Sequence, residues 1–207
     1  MKVRAYVIDT DAGSAPNYDA PCTTLAVCKP RIRKVASVGD FVIAFAGQGV
    51  NPYEPHTVVW AGIVSEKLTF SEYWNDARFA GKKPDRCARP DNFYQPMDGG
   101  LLQVGNRVHG PEHFNRDTGG IYVLMFDPSW RFGANGPPLP EEFDLRVAMN
   151  ARRAGRVISI GDAEWRRLEL WLDRQATLTT PATRTNRSCT PAPKKALPPA
   201  SPRSRCS

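Results

Sequence analysis

Three histidines and five cysteines are the side chains in this 207-residue sequence best suited to nucleophilic or metal chemistry. His109-Gly-Pro-Glu-His113 has the i, i+4 interval of a helical metal pair, and Asp117 follows four residues later. Gly110 and Pro111 inside that interval oppose a helix, so a ligand set of His109, His113 and Asp117 is not expected and no cofactor or metal is assigned. A cysteine nucleophile needs a base that is distant in sequence and brought alongside by the fold. Cys22 or Cys28 paired with His113 meets that need, which makes Cys22, His113 and Asp117 the catalytic candidates. A buried structural thiol is the commoner use of cysteine. The sequence contains no Gly-x-Ser-x-Gly elbow, no Gly-x4-Gly-Lys-[Ser/Thr] loop and no dinucleotide fingerprint.

Positive charge is concentrated in two places. Lys29-Pro-Arg31-Ile-Arg33-Lys34 sets four cations in six residues, and Lys82-Lys83-Pro84 precedes Arg86 and Arg89. Such clusters can form a local anion-binding face, although a solvated basic surface accounts for them about as well. Tyr73, Trp74, Phe79, Phe93 and Tyr94 lie near the second cluster and could offer a base a stacking surface.

The elements that must position these groups read as an α+β domain. Residues 2–9 alternate as a strand, with Val3, Ala5 and Val7 on one face and Tyr6 and Ile8 on the other. A short apolar run, 23–28, leads through Pro30 into a brief helix expected to turn Ile32, Val35 and Ala36 inward. Core strands are expected over 41–46, 58–64 and 121–126, the last ended by Asp127-Pro128. Thr69-x-x-Glu72 is a capping box that opens a short helix carrying Phe70, Tyr73 and Trp74. The stretch from Gly81 to Gly110 reads as a long polar loop, a kind often given to function. A helix is expected near Glu141–Arg153, and a last one begins at Gly161-Asp162 with Asp162 as N-cap.

Composition divides the chain. From Thr177 to Ser207 there are six basic residues, six prolines and no acid, a mixture that cannot build a core. Of 28 basic and 21 acidic residues, 22 and 21 then belong to the rest, so the net charge of +7 is almost wholly the tail's. The expected organisation is a domain at 1–176 and a disordered basic tail at 177–207. Cys189 and Cys206 fall in that tail, and the three cysteines left fit reduced thiols better than a disulfide framework. No run of 18 apolar residues is present, and the N-terminal stretch lacks the apolar core of a secretory signal, so a cytoplasmic protein with no membrane partner is expected.

Read in order, several segments resemble the nucleotide modification associated domain 2 family. They are Cys22-Thr23-x-Leu25-Ala26-x-Cys28-Lys29-Pro30-x-Ile32-Arg33, Val38-Gly39-Asp40, and Leu68-Thr69-Phe70-x-Glu72-Tyr73-Trp74-Asn75-Asp76. Phe79-x-x-Lys82-Lys83-Pro84, Asp91-Asn92-x-Tyr94, His113-Phe114-x-x-Asp117-Thr118 and Phe132-Gly133 follow. The resemblance spans most of residues 2–175. It implies a domain associated with base modification that binds a modified base or nucleotide, DNA ahead of RNA, with other proteins of a modification system as further partners. Carried onto this chain, Lys29, Arg33, Lys82 and Lys83 would hold phosphates, while Trp74, Asp91, Asn92 and Tyr94 would read the base. The alternatives are an enzyme acting on a nucleotide or base through His113, Asp117 and a cysteine, or an interaction subunit of a modification system. A fold analogy to PUA-like and EVE-like barrels sets two architectures side by side. One is a compact mixed β-sheet and the other a partly open PUA-like barrel, each with short flanking helices and a C-terminal helix.

Overall fold

The computed structural model describes residues 1–10, 13–19, 21–107, 109–143, 145, 157–178 and 183–185. β1 (Lys2–Ile8) and β3 (Phe41–Ala46) are parallel neighbours, from Val3 opposite Phe41 to Ile8 opposite Ala46. Parallel strands need a crossover. This one contains β2 (Thr23–Leu25) and α1 (Pro30–Val35) and reaches the far side of the sheet before returning. β4 (Val58–Thr69) runs antiparallel to β3 and then along β7 (Tyr122–Arg131). The strand order is β2-β7-β4-β3-β1-β8, where β8 is Val157–Ser159. β9 (Thr183–Thr185) pairs with residues 129–131 of β7, end to end with β2 on the same edge. The sheet stays open, with β8 at one edge and β2 and β9 at the other, so the mixed sheet and not a barrel is the architecture.

Period-two alternation gives this sheet two apolar faces. Val3, Ala5, Phe41, Ile43, Phe45 and Trp130 pack on Leu168 and Leu172 of the last helix, α4 (Asp162–Leu178). Tyr6, Ile8, Val42, Ala44, Val59 and Trp60 pack on the other side, against Ile32 and Ala36 of the α1 segment. A third cluster joins Val27, Phe70, Tyr73, Phe79, Phe93 and Tyr94 beside the sheet. It packs around α2 (Phe70–Asn75), whose capping box forms as expected: Glu72 N–H donates to Thr69 Oγ1, and Thr69 N–H to Glu72 Oε2.

Several expectations need correction. Val35 is 46% exposed, because Arg33 takes the inward position on α1. Within 81–110 lies a hairpin, β5 (Tyr94–Met97) and β6 (Gly100–Gln103), turned through two glycines at positive φ. β7 continues past Asp127-Pro128 to Arg131, since register shifts at Gly62/Val64 and Val64/Glu66 relieve the ladder where proline cannot donate. Asp162 is the first helical residue, and the Gly161 carbonyl accepts from Trp165 N–H. Residues 141–143, where a helix over Glu141–Arg153 was expected to begin, are turn and bend, and most of the rest of that span lies outside the described residues, as does most of the tail. No helix among the described residues is long and apolar enough to cross a membrane.

Candidate catalytic site

The site begins at the turn between β2 and α1. Cys28 and Lys29 both have positive φ, 56° and 40°, and Pro30 starts the helix immediately after. Two non-glycine residues in this region cost about 1–2 kcal/mol each, so the surroundings must hold the turn. The strand-to-helix reversal leaves the Cys28 side chain on the wall of a cavity of about 510 Å³, with Lys29, His109, His113 and Arg116 around it. Cys28 Sγ lies 3.5 Å from His109 Nε2.

His109 is held from its other nitrogen. Its Nδ1 forms a short hydrogen bond to Asp117 Oδ2, and Tyr94 Oη donates to the same oxygen at 2.9 Å. The remaining oxygen, Asp117 Oδ1, accepts from the Cys28 backbone N–H at 2.8 Å. Asp117 is fully buried on α3 (Phe114–Thr118). Burial works to raise its carboxyl, but the His109, Cys28 and Tyr94 hydrogen bonds overcome this and hold it below the usual carboxylate range. Burial likewise works against a charged His109 ring, yet its hydrogen bonds to Asp117 and Cys28 prevail and raise it to about 9. The Tyr94 hydroxyl is pushed up by burial and by the Asp117 charge beside it, so it stays a donor. Cysteine, imidazole and carboxylate thus form one hydrogen-bonded line. Asp117 fixes the orientation of the ring and leaves Nε2 facing sulfur.

Arg33 joins the two halves of this line. Its guanidinium is fully buried and donates to the Cys28 carbonyl at 2.8 Å, to the Tyr122 carbonyl at 2.7 Å and, closely, to the Asp117 carbonyl. Burial lowers it to about 10, still charged at neutral pH. Gly120 makes room: a Cβ there would fall on the guanidinium. Arg33 therefore faces backbone, and none of its bonds points toward the cavity.

The other residues singled out from the sequence divide sharply. His113 stacks on His109 with centroids 4.7 Å apart and lines the cavity, but His109 is the ring that meets the sulfur. Lys29 also lines it; its ammonium donates to the Val7 carbonyl at 2.9 Å and sits over the Tyr6 ring, and burial lowers its pKa. Cys22 is buried in the third cluster, where its carbonyl accepts from the Lys82 ammonium. Lys82 is fully buried, its ammonium donating to Cys22 O, Thr24 Oγ1 and Asn17 Oδ1 at 2.8–3.0 Å. Asp91 is beside it, accepting from Thr24 Oγ1 at 2.6 Å and Tyr73 Oη at 2.7 Å, and its carboxyl is raised by burial. Asn92 donates to the Tyr73 and Phe79 carbonyls. These three hold the interior together, and Tyr94 supports Asp117 where a stacking surface was expected. Lys83 lies over Trp74, 4.0 Å from the ring centroid, as a separate surface pair. The sequence reading missed the pairing of Cys28 with His109 and the presence of Arg116; the signal available was a short strand running into Cys-Lys-Pro, a sharp turn with proline at the helix start.

An open mixed sheet with a cysteine, a histidine and a buried acid in line at its strand-turn-helix reversal defines an α+β domain with one candidate site. The family model described as nucleotide modification associated domain 2 matches residues 1–186, and the chain belongs to that family. It is therefore a domain of a family associated with nucleotide modification. No curated protein and no solved structure matches the chain.

Proposed function

We propose that this domain is a cysteine-dependent acyl-transfer enzyme of a nucleotide-modification system, acting on an amide or ester of a nucleotide-derived substrate. The observation that carries this reading is the line from Cys28 Sγ to His109 Nε2, 3.5 Å apart, and on to buried Asp117. The Cys28 sulfur attacks the carbonyl carbon, its proton having passed to His109 Nε2. An S–C bond forms, the C–N or C–O bond breaks, and the leaving amine or alcohol takes the proton from Nε2. Water or an acceptor amine then attacks the thioester, giving its proton to Nε2 and returning the sulfur. Asp117 keeps the ring oriented and stabilises its charge throughout. Arg33 is a positioning residue.

This reading is favoured over a base-binding cleft because Arg33, Lys82, Asp91, Asn92 and Tyr94 spend their polar atoms inside the protein. A second reading has a specific observation behind it: ligand atoms of Cys28, His109 and Asp117 lie within 4.8 Å of one another, close enough for a metal. An ion between Sγ and Nε2 would find Asp117 on the opposite ring nitrogen, the place of an outer-shell carboxylate, which leaves two direct ligands where structural zinc takes four.

The test is site-resolved alkylation by iodoacetamide, read by mass spectrometry. Cys28 is expected to react much faster than Cys22 and Cys87, and His109→Ala to slow it at least tenfold. Cys28 reacting no faster than Cys87 refutes the proposal, and so does one equivalent of tightly held zinc that is lost in Cys28→Ser.

A further inference from the structure

The cavity's charges point to the substrate. The Cys28 backbone N–H, a natural donor to an oxyanion beside the sulfur, is already committed to Asp117 Oδ1. Charge on a bound ligand must therefore be met by side chains. Arg116 Nη2 is 3.6 Å from Cys28 Sγ, its Nε is 3.6 Å from Asp117 Oδ1, and its side chain is 46% exposed, which leaves guanidinium N–H groups for the cavity. Lys29 commits one of its three ammonium hydrogens to Val7 O. Ser14 also lines the cavity; it is 1% exposed, and its hydroxyl has no hydrogen-bond partner among the described residues. Leaving a buried hydroxyl unsatisfied costs about 1–3 kcal/mol, so such an atom marks a place for a polar ligand group. Asp117 pairs with His109, and among the described residues lining the cavity the one carboxylate set against Lys29 and Arg116 is Asp9.

Resting on the catalytic reading above, we infer that the substrate carries an anionic group, a phosphate or a carboxylate, held beside the reacting carbon by Arg116 and Lys29 with Ser14 as hydrogen-bonding partner. A cavity of about 510 Å³ is of small-molecule size, suited to a mononucleotide or its acyl derivative and too small for a duplex. Arg116 has two duties in sequence. It neighbours the sulfur in the free enzyme, and it meets the ligand's anion once the sulfur is committed to carbon.

Iodoacetate and iodoacetamide test this directly, since they differ chiefly in one negative charge and meet the same thiolate. Their rate ratio at Cys28 cancels any change in the sulfur's own reactivity. The wild type is expected to prefer iodoacetate about tenfold relative to a free thiol, a preference that fades with added salt. Arg116→Gln and Lys29→Gln should each lower the ratio, and Arg116→Lys should restore most of what Arg116→Gln loses; thermal melting would confirm that each variant is folded. Inorganic phosphate or a deoxynucleoside monophosphate protecting Cys28 identifies a phosphate, and malonate protecting it identifies a carboxylate. Fast reaction with both reagents at the free-thiol ratio, with no protection by either anion, overturns the anion site and leaves the nucleophile standing. Slow reaction with both overturns the catalytic reading itself.

Discussion

Replacing Asp117 by Asn keeps the size of the side chain and removes its charge. In the wild type, hydrogen bonds to Asp117 and Cys28 outweigh burial and hold a proton on His109 up to about pH 9. The His109 side chain is only 11% exposed, so solvent screens this little. Set against an ordinary histidine near 6.5, the higher proton affinity corresponds to about 3 kcal/mol of folding stability. Because the folded value is the higher one, that stability is fully present below about pH 6.5 and disappears as pH rises through about 9. With an amide at 117, burial acts unopposed by the carboxylate, and the ring should titrate at or below the ordinary value. Imidazole NMR titration reads the pKa directly, and urea unfolding at pH 6 and pH 9.5 reads the energy. The wild type should lose about 3 kcal/mol of its advantage over Asp117→Asn between those conditions. A wild-type ring titrating near 6.5, or a variant ring still titrating near 9, refutes the reasoning.

Arg33→Lys keeps the charge but cannot reproduce a fork that reaches three carbonyls; unfolding should show a loss of about 2–4 kcal/mol and slower alkylation of Cys28 in the molecules that remain folded. Lys82→Met strands the buried Asp91 and should cost about 3–5 kcal/mol in denaturant unfolding, part of it recovered by adding Asp91→Asn, with Cys28 reactivity per folded molecule unchanged. For the domain boundary, ending the chain after residue 186 should leave the unfolding midpoint where it was, whereas ending it after 176 removes the β9 ladder on β7 and should cost about 1–3 kcal/mol. Circular dichroism melts of the two truncations check this.

What could be read from the sequence was what local physics decides. The alternation of β1, the apolar run of β3 and the Thr69–Glu72 box each signal their element within a few residues, and all three formed. Cys28, His109 and Asp117 were each singled out as chemically able. Their pairing was hidden, because the contacts that join them span 81 and 89 residues and depend on the crossover between β1 and β3. Four cations in six residues, 29–34, read as a solvated or ligand-binding surface, yet Arg33 points inward, since a six-residue helix laid on a sheet must bury one side whatever its composition. The glycine that admits it, Gly120, is far along the chain. Lys82 was misleading for the same reason: nothing beside it in sequence announces the carbonyls of Asn17 and Cys22. The hairpin at 94–103 escaped notice because Pro96 and the Asp-Gly-Gly turn dilute its alternation.

The wide separation of Cys28 from its partners also sets an order of events during synthesis. The cysteine leaves the ribosome well before His109, and the carboxylate that orients that ring comes 89 residues after the sulfur. Until α3 closes over the β2–α1 turn, the Cys28 sulfur lacks both His109 and the carboxylate behind it. On the catalytic reading proposed above, reactivity waits on completion of the fold, and a nascent or truncated copy would carry a silent sulfur.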